Sequence, residues 1–465
     1  MITETRLKTA LLGSGAAFAL LAGPAFADEV GTLKSQIDAL QNRLDQIETQ
    51  QTKASATRVA PAQAVTGGEF PGSWKLPGSD TSISFSGYVK ADAMFTFNRQ
   101  HTAVGNSFNV SSIPADGAVA ENQGGDFRLH AMQSRIRFDS RTPTDWGSLR
   151  TRLEGDFEGA GGNQRFSNSN TLRMRHAWGQ LGPVLAGQTW STFMDQDTFF
   201  DTVDFTGTAG QEFARQAQIR YTASLHKEVS VDLAIENSED INLRNVANAA
   251  ATNANFQNKL PDFVAALRWR PSWGAVNVSG VLRHFTYDDG AGAEDSAIGG
   301  GGHLGVTLKT WGKDYIGVVG NLGKGLGRYL TSAAALDYIV TCENNRSGTS
   351  GNFGMVAGCG ADIETPTTYG AWASYTHFWT DTLRSSAIFG MGGTKVDVSK
   401  LGNAARGRAE ATRTVHANLM WSPVSRVTIG AEFMYGWVYF ANNNGANTDS
   451  DGNAGRLQLG LQYNF

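Results

Sequence analysis

Ser82-Ile83-Ser84-Phe85-Ser86-Gly87-Tyr88-Val89-Lys90-Ala91-Asp92-Ala93-Met94-Phe95-Thr96-Phe97 alternates with a period of two residues. Ile83, Phe85, Val89, Ala91, Ala93, Phe95 and Phe97 fall on one face; Ser84, Ser86, Tyr88, Lys90, Asp92 and Thr96 fall on the other. Successive side chains of a strand point to opposite faces, so this stretch reads as a strand with one apolar and one polar side. The pattern returns as far as the last residues, where Leu457, Leu459, Leu461, Tyr463 and Phe465 oppose Gln458, Gly460, Gln462 and Asn464. Between and around these we place sixteen segments, at about 82–97, 127–141, 148–158, 171–181, 183–191, 214–223, 228–237, 262–271, 274–286, 302–310, 313–322, 369–379, 382–391, 412–421, 425–437 and 455–465.

The connections decide what kind of sheet this is. Links after even-numbered segments are very short, such as Trp379 to Thr382 and Arg270 to Gly274. Links after odd-numbered segments are mostly long, such as Arg99 to Asp126 and Gly323 to Thr368. Short turns at one end and long loops at the other are the pattern of an outer-membrane barrel, and a soluble sandwich has no reason to sort its loops this way. Trp146, Trp273, Trp311, Trp379 and Trp421 all sit at the short turns. That placement suits a ring of amphipathic side chains at a membrane interface, the plainer reading being turn packing. The terminal strand ending in Phe465 resembles the C-terminal signal of bacterial outer-membrane proteins. The fold expected is all-β: a 16-stranded antiparallel transmembrane β-barrel over 81–465, with both of its ends on the short-turn, periplasmic side.

Composition agrees. The chain has 465 residues, 18% of them charged, with 55 Gly and 2 Cys, and a formal charge of −4. A low, slightly acidic charge balance gives no reason to expect nucleic acid, and two cysteines exclude a disulfide-dense scaffold. Past the N-terminus no stretch approaches 18 apolar residues, which excludes helical spans. Residues 1–27 read as a signal peptide: basic Arg6 and Lys8, an apolar run Ala10–Leu21, and Ala25-Phe26-Ala27 as the cleavage pattern. Residues 28–50 carry Val30, Leu33, Ile37, Leu40, Leu44 and Ile47 at heptad spacing. An isolated helix this short is marginal, so the segment reads as an oligomerisation coil, with two and three strands both open. Residues 51–80 read as a linker.

Sixteen strands leave an aqueous lumen, so function lies in the inward residues and in any loop folded inside. Arg135, Arg137, Arg150, Arg152, Arg173 and Arg175 take inward positions on the second to fourth segments, and Arg220, Arg268, Arg270 and Arg283 extend the basic wall. Arginine at close quarters biases a pore toward anions and holds carboxylates bidentately. The competing reading is that these arginines only pair with Glu154, Asp156 and loop carboxylates. The link Ser191–Ala214 holds Asp195, Asp197, Asp201, Asp204 and Glu212 among five phenylalanines. Such a loop is poorly suited to water and is expected inside the lumen as a constriction, its carboxylates facing the arginines. An exposed loop or a subunit contact is the other possibility.

Gly72-Ser73-Trp74-Lys75-Leu76-Pro77-Gly78-Ser79-Asp80-Thr81-Ser82 followed by Gly87-Tyr88-Val89-Lys90 resembles the start of the DcaP-like trimeric porins. Ala186-Gly187-Gln188-Thr189-Trp190-Ser191-Thr192-Phe193-Met194 and Arg215-Gln216-Ala217-Gln218-Ile219-Arg220-Tyr221 resemble the segments flanking that family's inward loop. Trp379-Thr380-Asp381-Thr382-Leu383-Arg384-Ser385 is similar to a late turn of the family. The resemblance implies a homotrimer in the bacterial outer membrane with a periplasmic coil, admitting small anionic solutes including dicarboxylates. A general diffusion porin is the alternative, and a barrel enzyme a more distant one.

Other motifs are weak. Cys342 and Cys359 lie in the longest loop, where a disulfide is the default in an exported protein. Asp449-Ser450-Asp451-Gly452-Asn453 lacks the distal glutamate of a calcium loop and reads as a solvated loop. Gly325 follows Lys324 where a phosphate-cradling loop needs Ser or Thr, His303, His377 and His416 form no zinc motif, and no nucleophile elbow occurs. No cofactor and no metal is called for.

Overall fold

The computed structural model describes residues 24–58, 66–98, 107–159, 161–163, 167–238, 244–245, 258–288, 290, 292, 294–330, 337–342, 361–395, 409–440 and 451–465. The chain divides into two units, one up to Thr66 and one from Gly67 to Phe465.

The first unit holds helix α1, Pro24–Arg58. No glycine or proline interrupts the chain between Thr32 and Ala60. The helix therefore runs past residue 50 and takes in Gln51–Arg58, which the sequence pattern assigns to the linker. It also begins ahead of the expected cleavage point; residues 1–23 of the expected signal peptide lie outside the described residues. Leu33, Ile37, Leu40, Leu44 and Ile47 form an exposed apolar stripe along it.

The second unit is a closed barrel of sixteen antiparallel strands. They are β1 Ser82–Thr96, β2 in two pieces Asp126–His130 and Arg135–Thr144, β3 Gly147–Gly159, β4 Thr171–Leu181, β5 Val184–Trp190, β6 Arg215–His226, β7 Val229–Glu236 and β8 Asp262–Trp269. The circuit continues with β9 Gly274–Asp288, β10 Glu294–Lys309, β11 Tyr315–Lys324, β12 Thr367–Phe378, β13 Leu383–Thr394, β14 Ala409–Trp421, β15 Val427–Phe440 and β16 Asp451–Asn464. Each strand pairs with the next, and β16 closes on β1 from Tyr88↔Asn464 to Thr96↔Arg456. The seam ends with reciprocal bonds between Gly87 and Phe465, Phe465 N–H donating to Gly87 O at 3.1 Å. Asp451, Gly452 and Asn453, read from the sequence as loop, instead open β16, paired with Tyr439, Val438 and Trp437.

Alternate residues of each strand face outward and are apolar and exposed: Phe85 and Val89 on β1, Leu153 on β3, Leu172 on β4, Leu233 on β7, Leu282 on β9 and Leu322 on β11. Their neighbours face inward and are buried and polar, such as Lys90, Asp92, Glu154, Asp232, Asn277, Asn321 and Gln458. The seven turns after even-numbered strands contain two to five residues. Trp146 is 82% exposed and Trp311 75% at these turns.

At the other end, long loops pack inside the mouth. Phe108, Val110 and Ile113 bury against Met434, Val438 and Ala454. Leu326 and Tyr329, from the loop after β11, pack on Phe193, Ala214 and Val281. A small sheet of Arg244–Asn245, Ile339–Cys342 and Ala361–Glu364 joins three loop segments. Cys359 lies outside the described residues, and with it the expected disulfide to Cys342.

One short turn is fixed by a single carboxylate. Asp314 accepts the backbone N–H of Phe378 at 2.9 Å, and hydrogen bonds from His377 Nδ1 and Tyr375 Oη at 2.7 Å each. These bonds hold its pKa at about 2, below the ordinary carboxylate range. A lowered carboxylate pKa stabilises the fold above its unfolded-state value, and that stabilisation is lost as pH falls through the folded value. Asp314→Asn is therefore expected to lower the thermal midpoint of the barrel at pH 6, with the difference from wild type closing between about pH 4 and pH 2. Heat-modified electrophoretic mobility across that range measures it; a difference independent of pH would refute the assignment.

Candidate functional site in the lumen

β2, β3 and β4 build one wall of the lumen. Two irregularities set which side chains enter it. Residues 131–134 separate the two pieces of β2, so the inward row changes from Arg128 and His130 to Arg135 and Arg137. In β4, Glu154 pairs with His176 while Gly155 pairs with Met174, leaving Arg175 as an extra residue. This bulge turns both Arg175 and His176 inward, where they are buried.

The result is a ladder of guanidinium–carboxylate pairs. Arg173 grips Asp156 through two parallel bonds of 2.9 Å, and Arg175 Nη1 donates to the same carboxylate at 3.0 Å. Arg175 Nε donates to Glu154 at 2.9 Å, and Arg135 lies 3.4 Å from it. Asp139 receives Arg152 at 2.7 Å and Arg137 at 3.0 Å. Asp139, Glu154 and Asp156 thus serve Arg135, Arg137, Arg152, Arg173 and Arg175. Arg150 is exposed towards the short-turn end of β3 and adds a sixth cation to the wall. Aromatic rings flank the cations, with Phe205 5.4 Å from both Arg173 and Arg175, Trp178 5.6 Å from Arg152 and Tyr88 5.0 Å from Arg135. Arg220 stands apart on β6, and its Nε has no hydrogen-bond partner among the described residues.

The segment Ser191–Ala214 is enclosed by the wall, with Ser191, Thr192, Phe193, Met194, Thr208 and Ala209 all buried. Inward side chains take up its backbone. Glu236 accepts from Thr192 N–H at 2.7 Å, Ser279 Oγ donates to Phe193 O at 2.7 Å, Lys90 Nζ donates to Val203 O at 2.7 Å, and Thr414 Oγ1 accepts from Ala209 N–H at 2.9 Å.

Its carboxylates are spread around the lumen: one meets an arginine of the extended basic wall, and none pairs with the arginines of β2–β4. Asp197 pairs with Arg270 on the β8–β9 turn at 2.8 Å. Asp201 pairs with Arg384 of β13, and Asp195 faces His303 of β10 at 3.7 Å. Glu212 accepts from Asn321 Nδ2 at 3.2 Å. Asp204 caps its own loop, accepting Thr206 N–H at 2.9 Å and Gly207 N–H at 3.2 Å. A loop buried against a polar wall needs partners for its own polar groups, and these carboxylates supply them. They anchor the loop and leave the arginine surplus uncancelled.

Sequence reasoning misses Arg215. It shares parity with the outward Ile219 and Tyr221, yet it lies over Trp190 at 4.4 Å and Phe213 at 5.3 Å, with no ion pair among the described residues. The inward packing of the loops after β1 and β11 escapes it too. Their apolar runs, around Phe108 to Ile113 and Leu326 to Leu330, are the available signal.

Gly210 adopts φ +77°, and a Cβ there would overlap Met391 O and Ala371 N. Gly210→Val is therefore expected to displace the inner loop and raise single-channel conductance while the barrel still folds. Planar-bilayer recording measures this; unchanged conductance would show that the loop does not limit the passage.

A family model described as DcaP outer membrane protein matches residues 20–272. No curated protein matches the chain. Among solved structures, the outer membrane channel DcaP of Acinetobacter baumannii is 19% identical, over 86% of this chain and 100% of that one, with a TM-score of 0.65. An anion-selective porin from Comamonas acidovorans is 10% identical over 83% of this chain and 100% of that one, TM-score 0.49. The trimer form of OmpT from Vibrio cholerae is 12% identical over 83% and 99%, TM-score 0.48.

Proposed function

Because this chain belongs to the DcaP outer membrane protein family and forms an outer-membrane channel, we propose that it admits small anionic solutes, dicarboxylates among them, along the arginine wall. The observation that carries this is the imbalance on β2–β4, whose inward rows hold eight arginines, among them the six of the ladder, against the five carboxylates Asp126, Asp139, Glu154, Asp156 and Glu158. A solute carboxylate entering there meets guanidinium donors already oriented by Asp139, Glu154 and Asp156, so it exchanges water for charge-assisted bonds without reordering the wall. Two carboxylates on one solute can engage successive rungs.

The working form is a homotrimer. The exposed heptad stripe Leu33, Ile37, Leu40, Leu44 and Ile47 needs partner helices, and a trimer of barrels holds three such helices at high effective concentration. Residues 1–27 direct export, and the short turns face the periplasm.

The double variant Arg150→Ala with Arg152→Ala is expected to move the reversal potential in a KCl gradient toward cations, more at about 0.1 M than at 1 M salt. Titrating succinate or phthalate against wild type is expected to give concentration-dependent block of single-channel current, weakened in the variant. An unchanged reversal potential would sink the arginine-wall reading. Anion selectivity without any block would leave a general diffusion porin.

A further inference from the structure

Above the arginine ladder, toward the long-loop end, three buried polar groups on adjacent strands take no part in it. Asp92 of β1 stands directly across from His130 of β2 in the strand register. Glu158 of β3 lies beside them, since Phe157 N–H donates to Met132 O at 3.0 Å. Asp92 is 0% exposed, Glu158 7% and His130 9%.

Each group carries an unmatched polar atom. Asp92 Oδ1 receives Lys90 at 3.0 Å and Gln458 at 2.9 Å, but Oδ2 has no partner among the described residues. Glu158 Oε1 has none either, and its side chain joins no ion pair among them. His130 Nδ1 accepts Met132 N–H at 3.3 Å, which assigns the proton of the neutral ring to Nε2, and that N–H is also unmatched. Three such atoms at one level of the wall, one donor and two acceptors, make a set that a visiting group of matching chemistry would complete.

The chemistry of the three atoms selects that visitor. Two carboxylate oxygens call for a donor-only group, which an ammonium is. One N–H, with the guanidinium of Arg173 on the next rung, calls for an acceptor such as a carboxylate. Among the described residues no group of three or more His, Cys, Asp or Glu side chains could hold a metal ion, and an N–H donor at the site would repel one.

We infer that Asp92 and Glu158 form a half-site for the ammonium of zwitterionic, amino-acid-like solutes whose carboxylate rests on His130 and the arginine ladder. This rests on the lumen being the solute path and extends the accepted class beyond purely anionic molecules. Glu158 supplies the attraction, because Lys90 already neutralises Asp92 and Arg173 is committed to Asp156.

The test is proteoliposome swelling with the full-length protein, comparing L-alanine with lactamide, a neutral solute of similar size and shape. Wild type is expected to pass alanine several-fold faster than lactamide. Glu158→Gln is expected to abolish that advantage while leaving lactamide flux and succinate block unchanged. Asp92→Asn, which keeps a bond to Gln458, is expected to reduce it as well. Equal alanine and lactamide rates in wild type, or an alanine advantage that survives Glu158→Gln, would overturn the half-site. Those results leave the anion reading intact, because succinate block and reversal potential report on that separately.

Discussion

The hydrocarbon of a bilayer offers no hydrogen-bond partner, so every strand edge inside it must be paired. The β1–β16 seam meets that demand. Nine residue pairs from Tyr88↔Asn464 to Thr96↔Arg456, finished by the Gly87–Phe465 bonds, turn a sheet into a wall without edges. Everything else follows from having an inside and an outside. Phe85, Leu153, Leu233 and Leu322 can lie in lipid only because their neighbours Ser84, Glu154, Asp232 and Asn321 have a lumen to face.

A lumen lined with charge raises a second demand, since buried ionic groups are costly unless paired and hydrogen-bonded. The barrel answers it differently on its two sides. On β2–β4 the arginines share too few carboxylates, so each pair is satisfied locally while the wall keeps a positive excess. On β8–β15 the charges belong to anchorage, with Arg268, Arg270, Arg384 and Glu432 holding the backbone or carboxylates of the inner loop. The loop is thus fastened mainly along β7–β15, with Lys90 of β1 as a further anchor, while Arg137, Arg152 and Arg173 on the other side keep about a third of their side-chain surface exposed. Phe205, reaching both Arg173 and Arg175, is where the two sides meet.

The channel reading and the zwitterion half-site draw on the same economy of partners. An arginine that already has a carboxylate is oriented but not exhausted, because a guanidinium carries five donors. Asp156 and Glu154 together take four of the donors of Arg173 and Arg175, and the half-exposed Arg173 keeps donors for a passing anion. One level higher the balance inverts, and oxygen atoms of Asp92 and Glu158 are the ones left over.

Strand number, the sorting of short turns and long loops, and the inward row of arginines are all legible in the unfolded string of residues. They are written locally, in a period of two and in the spacing of turns, because lipid on one face and water on the other impose opposite demands on successive residues. The break in β2 is legible too, since Leu129 and Ile136 cannot share a face in an unbroken strand. Partnership is settled only once the chain has folded. The bulge at Arg175, the inward turn of Arg215 at the end of β6, the attachment of Asp197 and Asp201 to Arg270 and Arg384, and the unmatched atoms of Asp92, His130 and Glu158 all depend on residues far apart in the chain. Periodicity reports which face a residue is on; it carries no record of what stands across the lumen.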